Sequence, residues 1–328
     1  MQNIFSNLII PRINLNSEES LVSAVSLIRD YGFDSFILFA TDKVTFGERE
    51  RFTLNRLSET RKILDSVSEK KVLFFLDAEN GLGRRCIDGN EYNYEDIDSL
   101  NHKSIINIFD SINKELHLNQ ISFNLGPVLD LKRDDSKVLE GRCFSDKPDE
   151  IVRIGALFLE SCRKNNIFSC VKHFPGHGAV ATDTHEILPK SSVSEIDLKS
   201  KHIKPFAELV QNADLVMMNH INYSSIDSSF IPASMSKNIM INILIKELHF
   251  DGIIISDSIR MKSITQNFNE FDTVQRLLVN GGDLVLDPLD PIICMEAITD
   301  LYSKYGNEID KKLEKIVNIK DMARSSIV

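Results

Sequence analysis

Short, continuous apolar runs recur along this chain of 328 residues, and longer amphipathic segments separate them. The runs are Leu8 to Ile10, Ser35 to Ala40, Val72 to Leu76, Ile121 to Leu129, Phe168 to Val171, Leu215 to Met218, Gly252 to Ile255 and Asp283 to Leu286. They do not alternate with polar residues, so each is typical of a parallel strand buried on both faces. Between them, Leu or Ile recurs at helical spacing, for example over Ile151 to Cys162, Asn238 to Leu248 and Asp272 to Val279. Eight strands alternating with helices predict an α/β fold, a (β/α)8 TIM barrel, with a doubly wound open sheet as the alternative.

We expect one barrel domain that spans residues 1–328. Hydrophobic residues make up 42% of the chain and charged residues 26%, which are ordinary proportions for a globular protein. Barrels of this length commonly form one domain, and no repeat or linker-like segment interrupts the pattern.

The net charge, the lack of recognisable targeting signals and the cysteines predict where this protein acts. A net charge of -10 argues against a nucleic-acid or anionic-membrane partner. The first residues lack the basic and apolar regions of a secretion signal, and no run approaches the ~20 apolar residues that span a bilayer. Five cysteines without a CxxC pair favour buried, reduced thiols. We therefore expect a cytoplasmic protein, and we expect it to be a monomer.

Polar side chains follow five of the predicted strands. They are Asp77, Asp130, Lys172 with His173, Asn219 with His220, and Asp257. The carboxyl ends of barrel strands form one rim, and barrel enzymes build their active sites there. The sequence therefore predicts a functional site at this rim.

Asp257 ends the strand from Gly252 to Ser256, which would hold its carboxylate on rigid backbone, as a nucleophile or base requires. The alternative is a carboxylate that caps the next helix, because Ile259 and Met261 follow closely.

Asp183 and His185 are two residues apart in a predicted loop, so the carboxylate could orient the imidazole as a general acid/base. A solvated pair without a fixed partner is the alternative. His173 and His177 stand four apart, the spacing of two metal ligands on a helix, but Pro175-Gly176 between them forbids a regular helix. We expect no metal and no cofactor, with a metal-dependent hydrolase as a remaining alternative.

The segment Lys172 to Gly178, KHFPGHG, together with Asp183-x-His185, resembles the signature of family 3 glycoside hydrolases, in their β-N-acetylhexosaminidase branch. Further segments resemble the family's motifs in the same order. They are Asp77-Ala78-Glu79-Asn80-Gly81, Gly126-Pro127-Val128-Leu129-Asp130, Gly141-Arg142-Cys143-Phe144, Met218-Asn219-His220 and Phe250 to Asp257. The resemblance implies a single-domain barrel and a retaining double displacement.

The resemblance also implies a role for each site residue. Asp257 would be the nucleophile, and His185, oriented by Asp183, would be the acid/base. The residues that would hold the hydroxyls and the N-acetyl group of the terminal sugar are Asp77, Arg85, Arg142, Lys172 and His173. The chain departs from the family pattern at Asn80, Leu82, Ser258 and Arg260, and also at Glu140-Gly141, and these departures bear on the leaving-group preference.

The resemblance thus implies an exo-β-N-acetylglucosaminidase that releases terminal N-acetylglucosamine from small glycans. Together with the expected compartment, it implies muropeptide fragments in peptidoglycan recycling as the substrate. Because an imidazole does not repel an incoming anion as a carboxylate would, a phosphorylase is one alternative. A sugar-binding barrel without activity is another. A β-glucosidase of the same family would lack the Asp183-x-His185 pair.

Overall fold

The computed structural model describes residues 4–42, 50–133, 135–136, 138–180 and 188–327. The strands in these ranges are β1 (Ile9–Ile10), β2 (Arg12–Asn14), β3 (Ser35–Phe39), β4 (Leu73–Leu76), β5 (Phe123–Asn124), β6 (Phe168–Phe174), β7 (Lys190–Ser191), β8 (Leu215–Met218), β9 (Asn222–Tyr223), β10 (Ile253–Ser256) and β11 (Val285–Leu286).

The α-helices in the same ranges are α1 (Glu18–Tyr31), α2 (Leu54–Val67), α3 (His102–Leu118), α4 (Pro148–Lys164), α5 (Glu195–Asp197), α6 (Lys204–Leu209), α7 (Lys262–Thr265), α8 (Glu270–Val279) and α9 (Pro291–Ser325). Leu198–Ile203 and Asn238–Glu247 are π-helical. Several helices begin at a side chain whose oxygen accepts a hydrogen bond from a backbone N–H in the first turn, namely Ser17, Thr53, Asn101 and Asn269.

The strands form a closed parallel barrel. Seven of them pair in the order β2, β3, β4, β5, β6, β8, β10. β11 completes the ring, because it pairs in parallel with β1 and because Leu284 beside it bridges to Ile255 of β10. The open-sheet alternative is therefore wrong, and the predicted (β/α)8 barrel is confirmed.

The apolar runs fill the barrel and the layer under the helices. Every residue of β4, β8 and β10 is buried, and the rings of Phe75 and Phe123 stack with centroids 4.0 Å apart on adjacent strands. Strands buried on both faces explain why the runs show no alternation. All five cysteines are buried and unpaired, which confirms the prediction of free thiols. Among the described helices, none combines the length and apolar character that crossing a bilayer requires.

Two strand boundaries differ from the sequence prediction. The run from Ile121 to Leu129 contains only two strand residues, because Gly126-Pro127 follows and the chain leaves the regular ladder there. Its last residues still run beside β6, since Val128 bridges to Lys172. β6 in turn extends through Phe174, so Lys172 and His173 lie within the strand and do not follow it.

Candidate active site

The predicted polar residues meet at one rim of the barrel. Asp77 directly follows β4, and Asp257 directly follows β10. The register places Phe174 of β6 opposite Met218 of β8, and Met218 opposite Ser256 of β10. Because all these strands are parallel, Lys172, His173 and Asp257 reach the same end of the barrel.

Lys172 is the central cation of this rim. Its side chain is only 1% exposed, and its Nζ donates to Asp77 Oδ1 over 2.8 Å. Arg85 donates from a terminal guanidinium nitrogen to Asp77 Oδ2 over 2.7 Å. Both oxygens of Asp77 are therefore paired, and three of the predicted sugar-binding residues form one network.

Glu79 links the fourth predicted sugar-binding residue to this network. Its Oε1 accepts from Arg142 Nε over 2.6 Å, and its Oε2 lies 3.5 Å from Lys172 Nζ. Its backbone carbonyl accepts from the hydroxyl of Tyr94. The Glu79 side chain is 1% exposed, so it serves to hold Arg142 and Lys172 and lies away from solvent.

Both carboxylates of the network stay ionised. Burial alone would raise the pKa of Asp77, but the charges of Lys172 and Arg85 outweigh it and hold that pKa well below 3.8. Burial likewise opposes the charges of Lys172 and Arg142 at Glu79, whose pKa is also held well below its ordinary value. The network is thus a fixed set of positive and negative side chains, which can donate and accept hydrogen bonds without rearranging.

Asp130 organises the next two imidazoles. Its Oδ2 lies 2.6 Å from His173 Nδ1 and accepts from His173 N over 3.2 Å, while its Oδ1 accepts from His177 N over 2.5 Å. The His173 and His177 rings pack nearly edge to face, with centroids 5.7 Å apart. Burial lowers the pKa of His177 to about 4, so this imidazole is neutral near pH 7.

Asp257 is anchored by backbone on both sides. Its N–H donates to Met218 O over 2.9 Å, and its Oδ1 accepts from Ser258 N over 2.7 Å. Its second carboxylate oxygen has no hydrogen-bond partner within the described ranges. The next helix, α7, begins at Lys262 after Met261, so Asp257 is not its cap. The capping alternative is wrong, and among the described residues Asp257 keeps one oxygen unpaired at the rim.

Asp287 holds the segment that follows Asp257. It accepts a bidentate pair from Arg12 over 2.9 and 2.6 Å, and Ser258 Oγ donates to its Oδ2 over 2.6 Å. Arg260 adds a longer contact of 3.3 Å to Oδ1. Asp287 is fully buried, with φ of 52°. Two of the positions that depart from the family pattern, Ser258 and Arg260, therefore act together through this carboxylate.

Asn80 has a contact of its own: its Nδ2 donates to Gly141 O over 2.9 Å, directly before Arg142. Its side chain thereby ties the loop after β4 to the backbone beside a predicted sugar-binding arginine.

Asp183 and His185 lie outside the described residues. Asn219 and His220 lie within them and hold backbone: Asn219 Nδ2 donates to His173 O over 3.1 Å, and His220 Nε2 lies 3.1 Å from Ser258 O. In the part of the chain that the structure describes, no group of three or more His, Cys, Asp or Glu side chains could hold a metal ion.

Sequence reasoning missed Glu79 as a site residue and noted Asp130 only as a strand-end carboxylate. The available signal was position, because Glu79 shares a motif with Asp77, and Asp130 ends the motif that begins at Gly126.

Known proteins match both the sequence and the fold. The family described as "Glycosyl hydrolase family 3 N terminal domain" matches residues 7–319. A β-hexosaminidase of Hydrogenovibrio crunogenus is 33% identical over 187 residues, which are 57% of this chain and 52% of the relative. The alignments span about half the length of the first curated relatives that the chain matches.

Two solved structures show the same fold at low identity. One is a family 3 β-N-acetylglucosaminidase from Paenibacillus sp. str. FPU-7, at 21% identity and a TM-score of 0.85, covering 100% of this chain and 63% of that one. The other is the β-glucoside phosphorylase BglX, at 19% identity and a TM-score of 0.86, covering 98% of this chain and 59% of that one. Since proteins with different activities share this fold, the fold alone does not select the reaction.

Proposed function

Because this chain belongs to the family of glycosyl hydrolase family 3 N-terminal domains, we propose that it is a retaining exo-β-N-acetylglucosaminidase. The observation that carries the proposal is the pairing of Asp257, with one oxygen available, and the Asp77–Lys172–Arg85 network at the same rim of one barrel. The β-hexosaminidase relatives support the choice of sugar.

In the first step, the available oxygen of Asp257 bonds to the anomeric carbon as the glycosidic C–O bond breaks. The bonding electrons go to the leaving oxygen, which takes a proton from His185, the proposed general acid. In the second step, His185 removes a proton from water, water attacks the anomeric carbon, and the bond to Asp257 breaks. Two displacements restore the β configuration.

The hydrogen bond from Ser258 N supports this division of labour within Asp257. It holds Oδ1, so the other oxygen is the one aimed at substrate. Asp183 is proposed to orient His185, as a carboxylate commonly orients a catalytic imidazole.

Substrate recognition is proposed to rest on Asp77, Arg85, Arg142, Lys172 and His173. These side chains are held by one another or by buried carboxylates, so they are preorganised for the hydroxyl and acetamido groups of one terminal sugar. A sugar that lacks a matching group would leave these polar atoms unpaired, which costs binding free energy.

The natural substrate is proposed to be a muropeptide fragment of peptidoglycan, processed in the cytoplasm. The sequence resemblance to the β-N-acetylhexosaminidase branch supports this substrate. The five buried, unpaired thiols support a reducing compartment.

The function is tested with the p-nitrophenyl β-glycosides of N-acetylglucosamine and glucose, each assayed with chelator and with and without phosphate. We expect turnover of the N-acetyl sugar only, unchanged by chelator, with the β anomer of free N-acetylglucosamine released first in an NMR time course. Initial release of the α anomer would contradict retention. A sugar 1-phosphate formed only with phosphate would reassign the protein as a phosphorylase.

The acid/base role of His185 predicts a dependence on the leaving group. His185→Ala should slow an alkyl or sugar leaving group by about 10²–10⁴-fold, the usual contribution of general acid catalysis. An activated dinitrophenyl leaving group needs little protonation, so cleavage of that bond should slow far less. Equal losses for both classes of substrate would instead assign His185 to substrate binding.

A further inference from the structure

We infer that Asp130 is a positioning residue. It fixes the tautomer of His173 and stabilises the turn that follows His173. The inference deepens the proposed function, because it rests on His173 as a ligand of the sugar. Asp130 is buried and its carboxylate contacts His173 and His177, so we assign it a role through these two neighbours.

One carboxylate spans the whole turn from β6 to the short 3₁₀ helix at His177–Ala179. Asp130 Oδ2 binds the His173 ring and backbone, and Oδ1 binds the backbone of His177. Gly176 N donates to His173 O over 2.9 Å and closes the turn between them. The position of Asp130 is itself fixed, because Leu129 N donates to Lys172 O over 2.7 Å.

This geometry decides which nitrogen of His173 carries the proton. An ionised carboxylate only accepts hydrogen bonds, so Nδ1, at 2.6 Å, must donate to it. In the neutral imidazole Nε2 is then an acceptor. Nε2 has no hydrogen-bond partner among the described residues, and in this neutral form of the ring it can accept from a sugar hydroxyl or from the acetamido N–H of the ligand.

The neighbouring groups favour this arrangement. Burial would raise the pKa of Asp130, but its interactions with His173 and then with His177 outweigh burial and hold that pKa below its ordinary value. His177 is neutral near pH 7 and contacts Asp130 through its backbone. Its ring therefore does not compete with His173 for the carboxylate.

Asp130→Asn is the matched substitution. The amide oxygen can still accept from His177 N, but the amide nitrogen then faces His173 Nδ1 as a donor. His173 should change to the Nε2–H tautomer, which presents a donor to the sugar where an acceptor is needed. We expect KM for the p-nitrophenyl N-acetylglucosaminide to rise about tenfold to a hundredfold, with a smaller change in kcat.

The tautomer is read directly by ¹H–¹⁵N NMR of the imidazoles in the substrate-free protein, with His173 assigned by its absence in His173→Gln. We expect Nδ1–H in the wild type and Nε2–H in Asp130→Asn. The control is Asp227→Asn, which alters another buried carboxylate, one that binds Ser229 and Ser236. It should leave both the tautomer and KM unchanged.

An Nε2–H tautomer in the wild-type protein would overturn the inference, even if the Asn variant does not fold. A switched tautomer with unchanged KM would also overturn it. Because the spectrum needs no substrate, a failure of the proposed glycosidase activity would be seen separately, as absent turnover with the Nδ1–H tautomer in place.

Discussion

Replacement of Asp257 by alanine is expected to lower kcat by about 10⁴-fold or more while the fold stays intact, because the substitution removes the proposed nucleophile. The side chain is half-buried and its backbone bond to Met218 O does not depend on the carboxylate. The midpoint temperature of thermal unfolding should therefore change little. Steady-state hydrolysis of the p-nitrophenyl N-acetylglucosaminide measures the loss.

A small anion provides the sharper test of the same residue. Azide can enter the space vacated in Asp257→Ala and attack the anomeric carbon of a dinitrophenyl substrate once, so the product should be the α-glycosyl azide. The control is Asp251→Ala, an exposed carboxylate at the opposite end of the same strand, which should keep full activity. Wild-type rates in Asp257→Ala would remove Asp257 from the nucleophile role.

Replacement of Lys172 by methionine is expected to have the second large effect. It leaves the buried carboxylate of Glu79 and the partly buried carboxylate of Asp77 without their shared cation. Removing one partner of a buried ion pair typically destabilises a protein by about 3–5 kcal/mol, and we expect that loss in urea-induced unfolding at pH 7. KM should also rise, because Asp77 is no longer held in place.

The difference between wild type and Lys172→Met should shrink in acid. The folded-state pKa values of Asp77 and Glu79 lie below their ordinary values of 3.8 and 4.5. Such groups contribute stability that is present above those values and is lost as pH falls through the folded-state pKa. Without Lys172, burial favours the protonated carboxyl groups, so the variant loses less on acidification. A constant difference between pH 7 and pH 3 would contradict this account.

Lys320→Met is the matched control for that experiment. Lys320 is also 1% exposed, and its Nζ donates to Asp34 Oδ1 over 2.8 Å at the opposite end of the barrel, before β3. Its loss should destabilise the fold through the same mechanism and leave KM unchanged. A rise in KM in both variants would show that the effect of Lys172→Met is only structural.

The barrel could be predicted from the sequence because its strands are buried on both faces and therefore appear as continuous apolar runs. The predicted strand boundaries were less accurate where the backbone leaves the strand conformation within or beyond an apolar run. Gly126-Pro127 ends β5 early, although Ile121 to Leu129 is uniformly apolar apart from Ser122 and Asn124. β6 continues through two charged or polar residues because their partners, Asp77 and Asp130, lie inside the protein.

The candidate site was predicted in part for a related reason. A polar residue at a strand end indicates that Asp77 or Lys172 reaches the rim. It does not indicate which carboxylate oxygens already have hydrogen-bond partners within the protein. Glu79 and Asp130 hold their neighbours through contacts between distant segments, and Arg142 reaches Glu79 from 63 positions away. Such contacts depend on the closed fold, so no local pattern reports them.

The closure of the barrel has a consequence for how the protein is made. Ile9 can pair with Val285 only after the ribosome has synthesised that later residue. Arg12 can bind Asp287 only after an equally long delay. At ribosomal rates of about 5–20 residues per second, that delay is roughly 14–55 s. During this time the first strand has an unpaired edge, which is a template for pairing with another chain. The nascent chain, more than the finished barrel, is therefore the form that needs protection from aggregation.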